Sequence, residues 1–257
     1  LSGESNNLKI NSGTVRLYNL DSDFEKANID LEIFSSNQNV VNYLSMSPIN
    51  EKNYSRLLNI NGDNTVNLNL RFPLLVDLLA EEIEYSSDVL IENSVFLDVF
   101  NNYNLDNFNL RIKISNSLIS YEGSGELFGS LAEFKGEQSI KNNEFIDEIN
   151  GTYVLKPFFK DYFFPESDMI PNGDIKISFT ILENDQGLSK IEGIGNLEDF
   201  SLISAFLGPD LDFKDGKLRF LIRPYDNSFS GFADMKTNNL KIEINSLFTA
   251  NKLLETD

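Results

Sequence analysis

The sequence predicts an all-β fold with minor helix: a long curved antiparallel meander sheet, with short capping or connecting helices. Three features predict it. Apolar and polar residues alternate strictly in six separated segments, the period of strands with one buried and one solvated face. Asn, Asp, Gly and Pro gather between those segments and supply turn conformations. A chain of 257 residues with 41% hydrophobic, 24% charged and 12% aromatic residues can bury a sizeable core.

Taken in order, the first alternating segment is Ala27, Ile29, Leu31 and Ile33. Asn37 to Met46 then reads as an amphipathic helix stopped by Pro48. From Thr65 to Phe72 the alternation is clearest, with Val66, Leu68, Leu70 and Phe72 on one face and Thr65, Asn67, Asn69 and Arg71 on the other. Pro73 to Leu79 places Pro in a first turn ahead of leucines at helical spacing, and so predicts a second short helix. Strand alternation returns at Phe108, Leu110, Ile112 and Ile114, at Ile175, Ile177, Phe179 and Ile181, at Leu218, Phe220 and Ile222, and at Leu240, Ile242 and Ile244. Pro157 to Phe164 and Leu197 to Leu207 are each read as a helical turn or two. Alternation of this kind belongs to antiparallel sheet, because parallel strands buried on both faces read as continuous apolar runs. Strands of about 6 to 10 residues are expected.

A weak repeat organises the later strands. Asn107 to Ile114 leads to Tyr121-Glu-Gly-Ser-Gly125, Asn172 to Phe179 leads to Ile191-Glu-Gly-Ile-Gly195, and Asp215 to Ile222 leads to Ser230-Gly-Phe-Ala233. Each unit reads as a meander hairpin. Its glycines are expected at bends or bulges, since Gly otherwise weakens a strand. The chain is read as a single β-groove segment spanning 1–257, with a soft subdivision near residue 60.

Composition removes most enzyme classes. With no Cys and no His, thiol nucleophiles, Ser-His-Asp triads and nearly all zinc or copper sites are excluded. Against 40 Asp and Glu stand 21 Lys and Arg, a formal charge of -19. Without a basic run, nucleic acid is not an expected partner, and docking on an anionic membrane by net charge is disfavoured. Asp210 to Gly216 superficially resembles a calcium loop, but Lys214 and Asp215 stand where a ligand and a glycine are required. Gly123-Ser-Gly125 and Gly193-Ile-Gly195 lack the third glycine of a dinucleotide fingerprint. No phosphate-binding or acyl-enzyme motif occurs. Glu81, Glu82 and Glu84, or Asp21 and Asp23, read as solvated charge rather than a glycosidase pair. The aromatic stretch Phe158 to Phe164, between Pro157 and Pro165, reads as a core plug before it reads as a lipid-contacting lip. No catalytic residue, cofactor site or metal site is expected.

The stretch Leu68-Asn-Leu-Arg-Phe-Pro-Leu-Leu-Val-Asp-Leu-Leu79, followed by Ile83-Glu-Tyr-Ser-Ser-Asp-Val-Leu-Ile91, resembles YhdP-like members of the AsmA superfamily of Gram-negative bacteria. The later hairpins ending in Gly-x-Gly or Gly-x-Ala are similar too. The resemblance runs from about Asn61 to the C-terminus and more loosely over the residues before it. The sequence departs from the family in being rich in Asn and poor in Arg, and it carries no terminal anchor. The resemblance implies a non-enzymatic β-groove, TamB-like in outline, that shields phospholipid acyl chains for lipid transport and outer-membrane homeostasis. It implies a periplasmic location, the rest of the bridge protein pairing at both open sheet edges, and an inner-membrane anchor outside this stretch. A start at Leu1 rather than Met fits a piece of a longer protein. The groove-lining set is Leu68, Leu70, Phe72, Leu110, Ile112, Ile114, Ile175, Ile177, Phe179, Leu218, Phe220, Ile222, Ile242 and Ile244. The rival expectation is a structural, adhesive or carbohydrate-binding all-β module whose alternating residues fill a closed core; a glycosidase ranks third.

Overall fold

The computed structural model describes residues 2–5, 8–21, 25–40, 59–100, 103–139, 147–158, 170–184, 187–204, 208–213, 216–225, 228–236 and 241–249. The chain divides into two compact units: residues 1–125 with 137–143, and residues 126–136 with 144–257. The division falls near residue 125. Unit 1 carries β1 (Gly3–Ser5), β2 (Leu8–Tyr18), β3 (Lys26–Ser36), β4 (Ile60–Asn61), β5 (Asp63–Pro73), β6 (Glu84–Phe100) and β7 (Tyr103–Ser115). Strands β8 (Leu118–Leu127) and β9 (Ser130–Ser139) are shared between the two units. Unit 2 carries β10 (Asp147–Leu155), β11 (Ile170–Asn172), β12 (Ile175–Asn184), β13 (Gly187–Asn196), β14 (Ser201–Ser204), β15 (Gly208–Asp212), β16 (Lys217–Tyr225), β17 (Ser228–Lys236) and β18 (Lys241–Thr249).

The fold is one long open antiparallel meander. Its strand order is β1-β2-β3-β5-β6-β7-β8-β9-β10-β12-β13-β16-β17-β18, with β4 pairing on β6, and a separate small sheet has the order β11-β14-β15. The three hairpins read from the repeat are β7/β8, β12/β13 and β16/β17. Several strands exceed the expected length, β6 reaching 17 residues.

In unit 1 the length of β6 comes with interruptions. Its register against β7 shifts between Ile91 and Ser94, between Ser94 and Phe96 and between Phe96 and Phe100. Asn93 (φ 49°) and Asp98 (φ 53°) lie there in the left-handed region, which short polar side chains tolerate better than others. Both backbone amides find acceptors on β7: Asn93 N–H donates to Asn109 Oδ1 (3.0 Å) and Asp98 N–H to Asn104 Oδ1 (3.2 Å). Around this distorted stretch lie the buried Ile91, Leu105, Phe108 and Leu110, with Phe96 edge-on to Phe108 at a centroid distance of 5.4 Å.

In unit 2 a small closed core forms where β12 begins. Ile175, Leu197, Phe200 and Phe213 are buried together, and Leu155, Ile177, Leu218 and Met235 pack against them. The Phe200 and Phe213 rings lie 5.7 Å apart. A turn bond from Phe200 N–H to Leu197 O (2.9 Å) brings the two side chains to the same core.

Three expectations need correction. Of Leu197 to Leu207, the stretch 197–204 is not helical: a turn at 198–199 leads into β14, and residues 205–207 lie outside the described residues. The i, i+3 spacing of Leu197 and Phe200 comes from that turn rather than from a helix. Pro73 to Leu79 is also not helical: Pro73 ends β5, a turn follows, and only a single 3-10 turn forms, at Ala80–Glu82. Leu74, Leu75, Val76 and Leu79 are exposed, Val76 fully, and Leu78 is half-buried, so no buried face rewards a helix there. Gly193, Gly195 and Gly231 of the repeat do not mark bulges. Gly193 and Gly195 sit in regular register, while the β12/β13 irregularity falls at Leu182/Glu183. Of the helix expected over Asn37 to Met46, residues 37–40 are helical and the rest lie outside the described residues. Most of the Phe158 to Phe164 cluster also lies outside them.

Candidate functional site

Directly paired residues of neighbouring antiparallel strands share a face, so the register assigns every expected groove residue to a row. In unit 1, Leu17–Ala27–Phe72, Val15–Ile29–Leu70–Tyr85, Gly13–Leu31–Leu68–Ser87–Ile114 and Ile10–Ile33–Val66–Val89–Ile112 are successive rows of one face. The next row holds Ser35, Asn64, Ile91 and Leu110. Leu68, Leu70, Phe72, Leu110, Ile112 and Ile114 are thus brought together on one face. Leu110 is buried and the other five are half-buried.

Unit 2 repeats the pattern. Tyr153–Ile177–Gly195–Leu218–Met235–Ile242 forms one row, and Gly151–Phe179–Gly193–Phe220–Ala233–Ile244 the next. Ile149–Ile181–Ile191–Ile222–Gly231 forms a third, and Ile175 pairs with Leu155 beside the closed core. Ile177, Phe179, Leu218, Phe220 and Ile222 are half-buried. Ile242 and Ile244 take their places by backbone register.

The glycines in these rows have a packing role. A Cβ on Gly151 would run into the Phe179 ring, one on Gly193 into the Phe220 ring, and one on Gly195 into Ile175. Each large side chain lies over a neighbouring strand where the absence of a Cβ leaves room, so aromatic residue and glycine cover one another across the sheet. The Tyr153 hydroxyl donates to Leu127 O at 2.9 Å, and burial pushes its phenol pKa up. An apolar row therefore holds this polar tip without leaving it unpaired.

The opposite face of unit 1 is polar and holds a depression of about 660 Å³. Its sides are the rows Thr14–Asp30–Asn69–Ser86–Ser115 and Ser12–Glu32–Asn67–Asp88–Lys113, and the row between them, Gly13–Leu31–Leu68–Ser87–Ile114, lines it as well. Asn69 Nδ2 donates to Asp30 Oδ1 (2.5 Å) and to Asn28 Oδ1 (2.8 Å). Arg111 grips Asp88 with two bonds, Nε to Oδ1 (3.0 Å) and the terminal nitrogen to Oδ2 (2.6 Å). That hydrogen-bonded guanidinium holds the Asp88 carboxyl below the usual carboxylate range. Sequence periodicity identified both faces but not this depression, whose rows meet only through cross-strand register.

Among the described residues no group of three or more Asp or Glu is placed to hold a metal ion, and no helix is long and apolar enough to cross a membrane. The described residues present an apolar face in each unit, interrupted at Ser87 in unit 1, and a depression in unit 1. No protein-family profile, curated protein or solved structure matches the chain.

Proposed function

We propose that the apolar face of each unit shields phospholipid acyl chains, and that the chain is a non-enzymatic segment of a periplasmic bridge of the AsmA, YhdP-like kind. Such a segment serves phospholipid transport and outer-membrane homeostasis in a Gram-negative cell. The edge strands β1 and β18 are where the rest of the bridge pairs, and the inner-membrane anchor lies outside this stretch. The observation that carries the reading is that apolar residues recur in register from strand to strand in each unit, interrupted at Ser87 in unit 1, and remain mostly half-buried. Among the described residues the second sheet has three short strands only, too little to cover faces of this extent. An acyl chain needs apolar surface and no specific hydrogen bonds, and removing about ten methylenes from water is worth about 8 kcal/mol.

The polar depression favours a second reading, a carbohydrate-binding module, because carboxylates, amides and hydroxyls in fixed rows suit a polyhydroxylated ligand. The two readings separate by what the chain carries. Leu68→Asp in unit 1 and Ile222→Asp in unit 2 put a carboxylate on half-buried rows. Ile177 suits the test less well, because it packs against the closed core. On the lipid reading the wild-type chain copurifies with phospholipid, and each variant folds by far-UV circular dichroism but retains roughly tenfold less, the effect of about 1.4 kcal/mol. A lipid-free wild-type chain, or variants that unfold as a charge in a closed core would force, contradicts it.

A further inference from the structure

The polar face of unit 2 carries an arrangement that the net charge conceals. Lys176 pairs with Asn196, Asn196 with Lys217, Lys217 with Lys236 and Lys236 with Lys241. Four lysines thus stand in one row across five adjacent strands, a span of about 19 Å at the usual strand spacing. All four are exposed. Like charges directly opposite one another destabilise a sheet, and a chain with 40 acidic residues has ample means to avoid the pairing. The next row adds Arg219 beside Ile194, with Asp234 and Glu243. Glu243 is engaged by Lys241, and in the row beyond, Glu192 is engaged by Lys190 (2.9 Å). On the same face Ile194 is 54% and Phe232 37% exposed.

We propose that this face of unit 2 docks on the surface of a bilayer containing anionic phospholipid. The lysine row and Arg219 meet lipid phosphates, and Ile194 and Phe232 meet the apolar edge of the headgroup layer. Charge complementarity selects the partner. Each basic side chain within a Debye length of an anionic leaflet gains attraction, and charges farther than about 8 Å away are screened at physiological salt. The acidic balance of the whole chain therefore does not govern contact at this face. Exposed apolar side chains interleaved with cations are the composition of an interfacial site rather than of a solvated one. The assignment is independent of the acyl-shielding reading, since it uses the other face of the sheet.

The test is cosedimentation of the 257-residue chain with vesicles of phosphatidylcholine alone and of phosphatidylcholine with about one-third phosphatidylglycerol. Binding is expected to the anionic vesicles only, and to weaken at least tenfold when salt rises from about 0.1 to 0.5 M. Replacing Lys176, Lys217 and Lys236 together by Gln is expected to weaken it at least tenfold, as is replacing Ile194 and Phe232 by Ser. The control triple of Lys9, Arg16 and Lys26 to Gln removes the same charge from unit 1, outside this face, and is expected to leave binding intact. The exposed lysine row tolerates Gln without loss of fold, because the substitution relieves repulsion. Equal binding to both vesicles, no binding to either, or equal losses in the two triples overturns the proposal. Retention of single-stranded DNA in place of anionic vesicles would likewise overturn it and give the row to nucleic acid.

Discussion

Gly193 shows how one missing side chain organises two strands. It faces Phe179 on one side and Phe220 on the other, and an added Cβ would meet the Phe220 ring and Ser178 O. Gly193→Val is therefore expected to destabilise the chain by about 1–3 kcal/mol, the usual cost of overpacking. Gly3 has open space around its Cα, so Gly3→Ala should stay within about 0.5 kcal/mol of wild type. Urea denaturation with an unchanged m-value measures both; equal effects would remove the packing account. The alternation of glycine with large residues is visible in the sequence, but its purpose is not. A strand glycine reads equally as a bulge or as a socket, and only the identity of the residue opposite decides. Within the strands the left-handed positions fall instead on Asn and Asp, at Asn93, Asp98 and Asn107, while Gly129 and Gly173 take such a conformation only in the connections between strands.

At the level of elements, period-2 alternation located the main strands well, because a single half-turn per residue leaves little ambiguity over eight residues. The helices expected at Pro73 to Leu79 and from Leu197 failed for a physical reason: an i, i+3 pair is produced by a turn as readily as by a helix. Leu197 and Phe200 are such a pair, and with Phe213 they fix the small sheet β11-β14-β15 beside the start of β12. Phe213 is fully buried there. Phe213→Ala is expected to cost about 3–5 kcal/mol, seen as a lower thermal midpoint of unit 2. Exposed Phe232→Ala should cost far less; comparable losses would mean that the closed core is not what holds this end of β12.

For the whole molecule, alternation within single strands said which residues share a side, and the groove set from Leu68 to Ile222 follows from it. It could not say which strands pair, in what register, or that the polar sides align four lysines and a 660 Å³ depression. Those properties belong to pairs of strands distant in sequence, and a slip of one residue would exchange the two faces. The central claim is that the side of β16 bearing Leu218, Phe220 and Ile222 lies against acyl chains while the side bearing Lys217, Arg219 and Leu221 does not. A photoreactive residue placed singly at each position from 217 to 222, in the purified chain without vesicles, tests it most directly. Phospholipid crosslinks at 218, 220 and 222 and none at 217, 219 and 221 is the predicted result; crosslinks without that alternation, or none at any position, would contradict it.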